Sequence, residues 1–212
     1  VSDLQCPATL VVARHAKAAF VEDWFSDEGG SLTSAGRAQA RELADSLGGR
    51  RVAAVYSSDI SRAVQTAEII AARLGVAVTA CKSLREVFIG SLIGQEFDIA
   101  QIEAVTDQWC AGSMEVRFEG GESGADVVAR HRAQLDEISD LHRGETVLVV
   151  GHQTALGIVV PTLARGLTPA WARDHELSNT DSVELDRDAD GWVLRRWGSR
   201  DPEPTRRPRR RS

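Results

Sequence analysis

Short apolar runs alternate along this chain with longer stretches in which apolar positions recur every three or four residues. The run over 8–13, ATLVVA, is apolar on both faces and predicts a buried strand. Thr33 or Ser34 can cap a helix running to about Leu47, and Gly48-Gly49 ends it. Residues 52–56 read as a second strand. Ser58 is placed to cap the next helix, which continues to about Leu74 and stops at Gly75, and 76–79 form a short third strand. A weaker helical pattern covers 95–105. The segment GGES (120–123) turns into a long helix to about His142, with Val127, Val128, His131, Leu135, Ile138 and Leu141 as its buried stripe. Another continuous apolar strand follows at 146–150, then a helix from about Thr154 that meets Pro161. Val183 to Leu185 and Trp192 to Leu194 flank Asp188-Ala189-Asp190-Gly191, a hairpin signal. Strands alternating with helices predict a single α/β domain, a three-layer α/β/α sandwich with a mainly parallel sheet.

Length and composition narrow the picture. The 212 residues suit one domain, expected over 1–198 with a small cap insertion at about 95–120 and a basic, disordered tail at 199–212. The net charge is −6; the tail carries six Arg against Asp201 and Glu203, which leaves the body at −10. An acidic body argues against a nucleic-acid partner. No apolar run reaches the roughly 18 residues of a spanning helix, so no membrane partner is expected. The early apolar stretch stops at Arg14, so no secretory signal is read and the cytoplasm is the expected compartment. Cys6, Cys81 and Cys110 lie far apart and are expected to be reduced thiols. The five His show no HxH or HxxxH spacing, so no metal is expected.

In an open α/β sheet, ligands bind outside the carboxyl ends of the strands. Arg14 and His15 follow the first strand. Ser57 and Ser58 follow the second, with Arg62 in the first turn of the next helix, and Gly151 and His152 follow the 146–150 strand. If those strands are neighbours, two His and two Arg converge. This set suits a phosphate dianion: Arg forks match phosphate oxygens, helix N-termini add N–H donors, and a neutral His can carry a phosphoryl group. His131, His142 and His175 are read as structural. Other phosphate chemistries fail on the text. Cys81 has Val87 rather than Arg six residues on, no GxxxxGK[ST] occurs, and Gln153 stands where a nucleophile elbow needs Ser.

Six segments then resemble the histidine phosphatase superfamily, the phosphoglycerate mutase-like proteins. They are LVVARHA (10–16), LTSAGRAQA (32–40), YSSDISRAVQTAEIIA (56–71), LREVFIGSLIG (84–94), GGES (120–123) and VLVVGH (147–152). The resemblance implies the phosphoglycerate mutase-like fold, with His15 as nucleophile and Arg14, Arg62 and His152 completing a phosphate pocket. It makes Glu86 the general acid and implies no cofactor. The family's usual Gly after the nucleophile is Ala16 here, which fits only if that backbone does not need a positive φ. Val21 stands where many members carry a phosphate-binding Asn, and Lys17 is a compensating phosphate-binding cation.

The expected function is hydrolysis of a small-molecule phosphomonoester through a phosphohistidine. About 25 residues separate Gly94 from GGES, a small cap that favours water as acceptor; Trp109, Met114 and Phe118 in it are candidates to line the leaving-group side. Three alternatives stay open: a phosphoglycerate mutase, a protein phosphohistidine phosphatase, and a non-catalytic phosphate-binding module. The sequence does not fix the oligomeric state, and a homodimer is compatible with it.

Overall fold

The apolar N-terminal run forms the centre of a mixed sheet in a computed structural model of the chain, which describes residues 6–20, 24–26, 29–188 and 190–198. The expected tail at 199–212, and Val21, lie outside the described residues. Strand β1 (Thr9–Arg14) has neighbours on both sides, in a sheet ordered β5-β4-β6-β1-β7-β8. Here β4 is Val52–Ser58, β5 Val78–Cys81, β6 Thr146–Gly151, β7 Ser182–Asp188 and β8 Gly191–Trp197. The first four strands in that order run parallel. Strand β7 runs antiparallel to both β1 and β8, and its pairing with β8 extends to Asp188 opposite Gly191. Strands β2 (Ala18–Ala19) and β3 (Ser31–Leu32) make a separate two-residue ribbon.

Alternation along β1 explains the layers. Val11 and Ala13 face a core completed by α1 (Ser34–Leu47) and α2 (Ser61–Leu74). Leu10 and Val12 face the opposite core, built with α4 (Gly124–Leu141), α5 (Gln153–Leu163) and α6 (Pro169–Arg173). Helix α3 (Ile99–Cys110) lies in the segment expected to form a cap and buries only Trp109 fully.

Local differences from expectation have local causes. Thr33 caps α1 by accepting from the Gly36 amide, as expected. Ser58 does not cap α2: that helix begins at Ser61 after Ile60, and Ser58 Oγ instead accepts the Ile60 amide at 3.2 Å. Strand β5 starts two residues later than its apolar pattern suggests. Helix α3 spans 99–110 rather than 95–105, started by Asp98, whose carboxylate accepts from the Ala100 amide. Pro161 lies inside α5, which continues to Leu163. Leu141, expected in the α4 stripe, is 67% exposed because the helix ends there.

Candidate active site

The register of three parallel strands brings the chemistry to one level. Arg14 pairs with Gly151 across β1 and β6, and the His15 amide donates to the Gly151 carbonyl at 2.9 Å. His15 and His152 therefore leave the sheet side by side, with ring centroids 5.3 Å apart. On the other flank of β6, Ser57 pairs with Val150, and α2 rises just beyond to carry Arg62 inward. His15, Arg62 and His152 are all buried.

His15 has a defined tautomer. Its Nδ1 lies 2.8 Å from the Ala16 carbonyl, which only accepts, so Nδ1 holds the proton. Nε2 then carries the lone pair, and Arg62 Nε donates to it at 3.1 Å. Burial pushes the His15 pKa from 6.5 down to about 4; the Ala16 carbonyl opposes this, and the Arg62 and Arg14 charges add to it. The imidazole is thus neutral at neutral pH. Burial likewise holds His152 well below its ordinary value. Both of its ring nitrogens, and Nε of Arg14, are buried without a hydrogen-bond partner, polar atoms that an anion at this level can satisfy.

Backbone positions around the nucleophile are fixed by residues the sequence reading missed. Thr66 Oγ1 accepts the Ala16 amide at 3.0 Å and donates to the Arg62 carbonyl at 2.7 Å, tying the two site segments together. Asn179 donates to the His15 carbonyl at 2.9 Å, and Arg14 Nη1 to the Leu177 carbonyl at 2.9 Å. Thr180, the non-glycine residue with positive φ (64°) among the described residues, donates its amide to the Arg14 carbonyl. The Thr66 signal was legible as the residue one turn after Arg62. The 177–181 loop carried no signal of its own. Ala16 has no positive φ and is fully buried, so a methyl fits where the family usually has Gly.

Glu86 is brought to the same place by long-range packing. Its Oε1 accepts amides of Val87 and Ala155 at 2.9 and 2.7 Å, and Oε2 accepts that of Thr154 at 3.0 Å. The carboxylate thus sits on the N-terminus of α5, next to His152, and its charge is felt at Arg14 and Arg62. Arg130 of α4 holds this segment: it donates to the carbonyls of Ser83, Arg85 and Glu86 and forms a two-pronged pair with Glu122 of the GGES turn. Arg14, His15, Arg62, Glu86 and His152 are therefore assembled. Lys17 is not: its side chain is exposed and makes no hydrogen bond or ion pair among the described residues, while its carbonyl receives Thr33. Of the cap candidates, Phe118 lines the cavity beside Glu86, whereas Trp109 is buried with its Nε1 on the Val116 carbonyl, and Met114 packs near Gly124. His142 bonds Tyr56 and Glu145 and His175 stacks on Trp171, the structural roles expected of them. His131 is also structural, with Nδ1 on the Val127 carbonyl. No described helix is long and apolar enough to cross a membrane.

Comparison with known proteins agrees with this geometry. The sequence pattern described as histidine phosphatase superfamily (branch 1) matches residues 10–200. A Salmonella choleraesuis protein named "Probable phosphoglycerate mutase GpmB" is 34% identical over 171 residues, 77% of this chain and 79% of that protein. A mycobacterial glucosyl-3-phosphoglycerate phosphatase solved with VO3 is 27% identical and superposes with a TM-score of 0.74 over 91% of this chain and 99% of that one. The alpha-ribazole phosphatase of Shigella flexneri shares the fold, with a TM-score of 0.69 at 22% identity over 90% and 96% of the two chains. The chain belongs to the histidine phosphatase superfamily.

Proposed function

We propose that the chain hydrolyses a small-molecule phosphomonoester through a phosphohistidine at His15. The observation that carries this reading is the neutral His15 with its Nε2 lone pair fixed between Arg62 and His152 at the sheet's carboxyl edge. In the first step, the arriving phosphate takes over the Arg62 and Arg14 donors. The Nε2 lone pair attacks phosphorus, the P–O bond to the alcohol breaks, and Glu86 gives a proton to the departing alkoxide. In the second step, water attacks the phosphohistidine, Glu86 takes its proton, and phosphate leaves with the His15 lone pair restored. His152 and the two Arg serve as donors to the phosphoryl oxygens, where charge spreads in the transition state. Water as the acceptor is favoured by the cap, a single helix that buries only Trp109 fully, and by half-exposed side chains at the cavity mouth.

After mixing with an aryl phosphate, acid-labile and base-stable phosphate should be trapped on the protein and absent from His15→Ala. Full aryl phosphatase activity in His15→Ala would overturn the reading. A mutase is the second reading, favoured by the 34% identical relative with that name. It requires phosphoryl exchange between positions of a phosphoglycerate with little free phosphate, so incubation with a phosphoglycerate and measurement of both products separates the two.

A further inference from the structure

A cavity of about 750 Å³ opens directly from the reacting groups, since Arg62 and Glu86 both line it. It gives an alcohol esterified to a phosphate on His15 a space to extend into, on the side of Arg62 and Glu86. Half of its lining is polar or charged; the apolar half includes four phenylalanines, Phe25, Phe88, Phe97 and Phe118, with Ile99 and Ile102 from α3. The rings of Phe25 and Phe97 lie 4.9 Å apart and tilted, so they form one continuous aromatic stretch of wall.

The exposed apolar residues point to the same place. Six large hydrophobic side chains are exposed among the described residues, and three of them, Phe88 (43%), Phe97 (57%) and Ile99 (52%), line this cavity. Phe20 stacks on the Arg62 guanidinium, and Trp24 pairs with Glu96 just before Phe97, so both flank it. Only Leu141 stands elsewhere. Apolar surface concentrated at one mouth marks a binding site, whereas scattered residues would not. The charged groups in the walls are mostly engaged: Arg130 with Glu122, and Arg85 with Asp59. Lys82, at the exposed rim, is the cation left besides Arg62 without an ion pair among the described residues. On the phenylalanine side of the cavity, the hydroxyls of a sugar would lose water with few partners in return, an unfavourable exchange.

We infer that the preferred substrates are phosphomonoesters whose alcohol part is aromatic or comparably broad and apolar, over phosphorylated sugars and hydroxy acids. This rests on the phosphatase reading above. The test compares kcat/KM of the full chain for 1-naphthyl phosphate, 3-phosphoglycerate and glucose 6-phosphate, alongside calorimetric binding of the same compounds to His15→Ala. The naphthyl ester should lead by roughly tenfold or more in both measurements. Phe88→Ala and Phe97→Ala, both at exposed positions, should each cut that lead by roughly three- to tenfold, while Leu141→Ala leaves it intact. Equal kcat/KM and equal binding across the three compounds, or a lead indifferent to Phe88 and Phe97, overturns the inference. Naphthyl-selective binding with no turnover of any compound removes the phosphatase reading and keeps the pocket; turnover without selectivity does the reverse.

Discussion

Acidification should destabilise this protein through its buried histidines. His15 and His131 are buried and neutral, with pKa values pushed from 6.5 down to about 4 and about 3, burial being the first cause in each case. The unfolded chain takes up a proton at each near pH 6.5, and the folded chain refuses it until far lower. Stability is therefore full above 6.5 and is lost as the pH falls from 6.5 toward the folded values. Between pH 7.5 and 5.0 each of these histidines removes about 2 kcal/mol, about 4 together. His152, also lowered by burial, acts with the same sign. Asp126 and Asp188 have lowered pKa values too, but their effect begins only below 3.8, outside this window. Against a typical domain stability of about 5–15 kcal/mol, this loss is large. Urea denaturation at the two pH values measures it directly. His131→Gln, whatever its stability at pH 7.5, should reduce the pH-dependent difference by about 2 kcal/mol. A native chain whose stability at pH 5.0 lies within about 1 kcal/mol of that at pH 7.5 would refute the reasoning, since no neutral buried histidine could then be present.

Two substitutions test how the nucleophile is held. Thr66→Val keeps the shape but leaves the buried Ala16 amide unpaired; it should cost about 1–3 kcal/mol in thermal or urea unfolding and lower kcat, with Thr66→Ser restoring most of both. A methyl at Gly36 would meet the Lys17 carbonyl oxygen at 2.0 Å, so Gly36→Ala must displace either α1 or the strand end beside Ala16. A loss of about 1–3 kcal/mol is expected, with a fall in activity that a remote α1 substitution of the same cost does not reproduce.

The strands were readable because β1 and β6 are central, buried on both faces, and so apolar throughout; their ends then advertised Arg14-His15 and Gly151-His152. The C-terminal hairpin was readable from its turn, although its strands are what make the sheet mixed. Helix α3 was misplaced by about four residues because it buries only Trp109 fully and leaves little periodicity to read; the Asp98 cap was the better signal. Glu86 was found only through its motif. Its partners Thr154 and Ala155 lie 68 and 69 residues away, and the Arg130–Glu122 pair that carries its segment has no local pattern. Lys17 was chosen for its charge and its nearness to His15 in sequence. Yet the backbone there turns toward Thr33 and Gln39, and the side chain goes to solvent.

Two roles compete for Glu86, and the leaving group separates them. Its carboxyl oxygens accept the amides of Val87, Thr154 and Ala155, so the side chain pins the 86–87 segment to the start of α5. The same side chain lines the cavity into which the alcohol leaves, which is where a proton donor to the departing oxygen must stand. Glu86→Gln keeps the shape but removes the acid. It should slow esters of poor leaving groups far more than aryl esters, whose phenolate departs with little help. Equal losses for both kinds of ester would mean that Glu86 holds the end of α5 and does not deliver the proton.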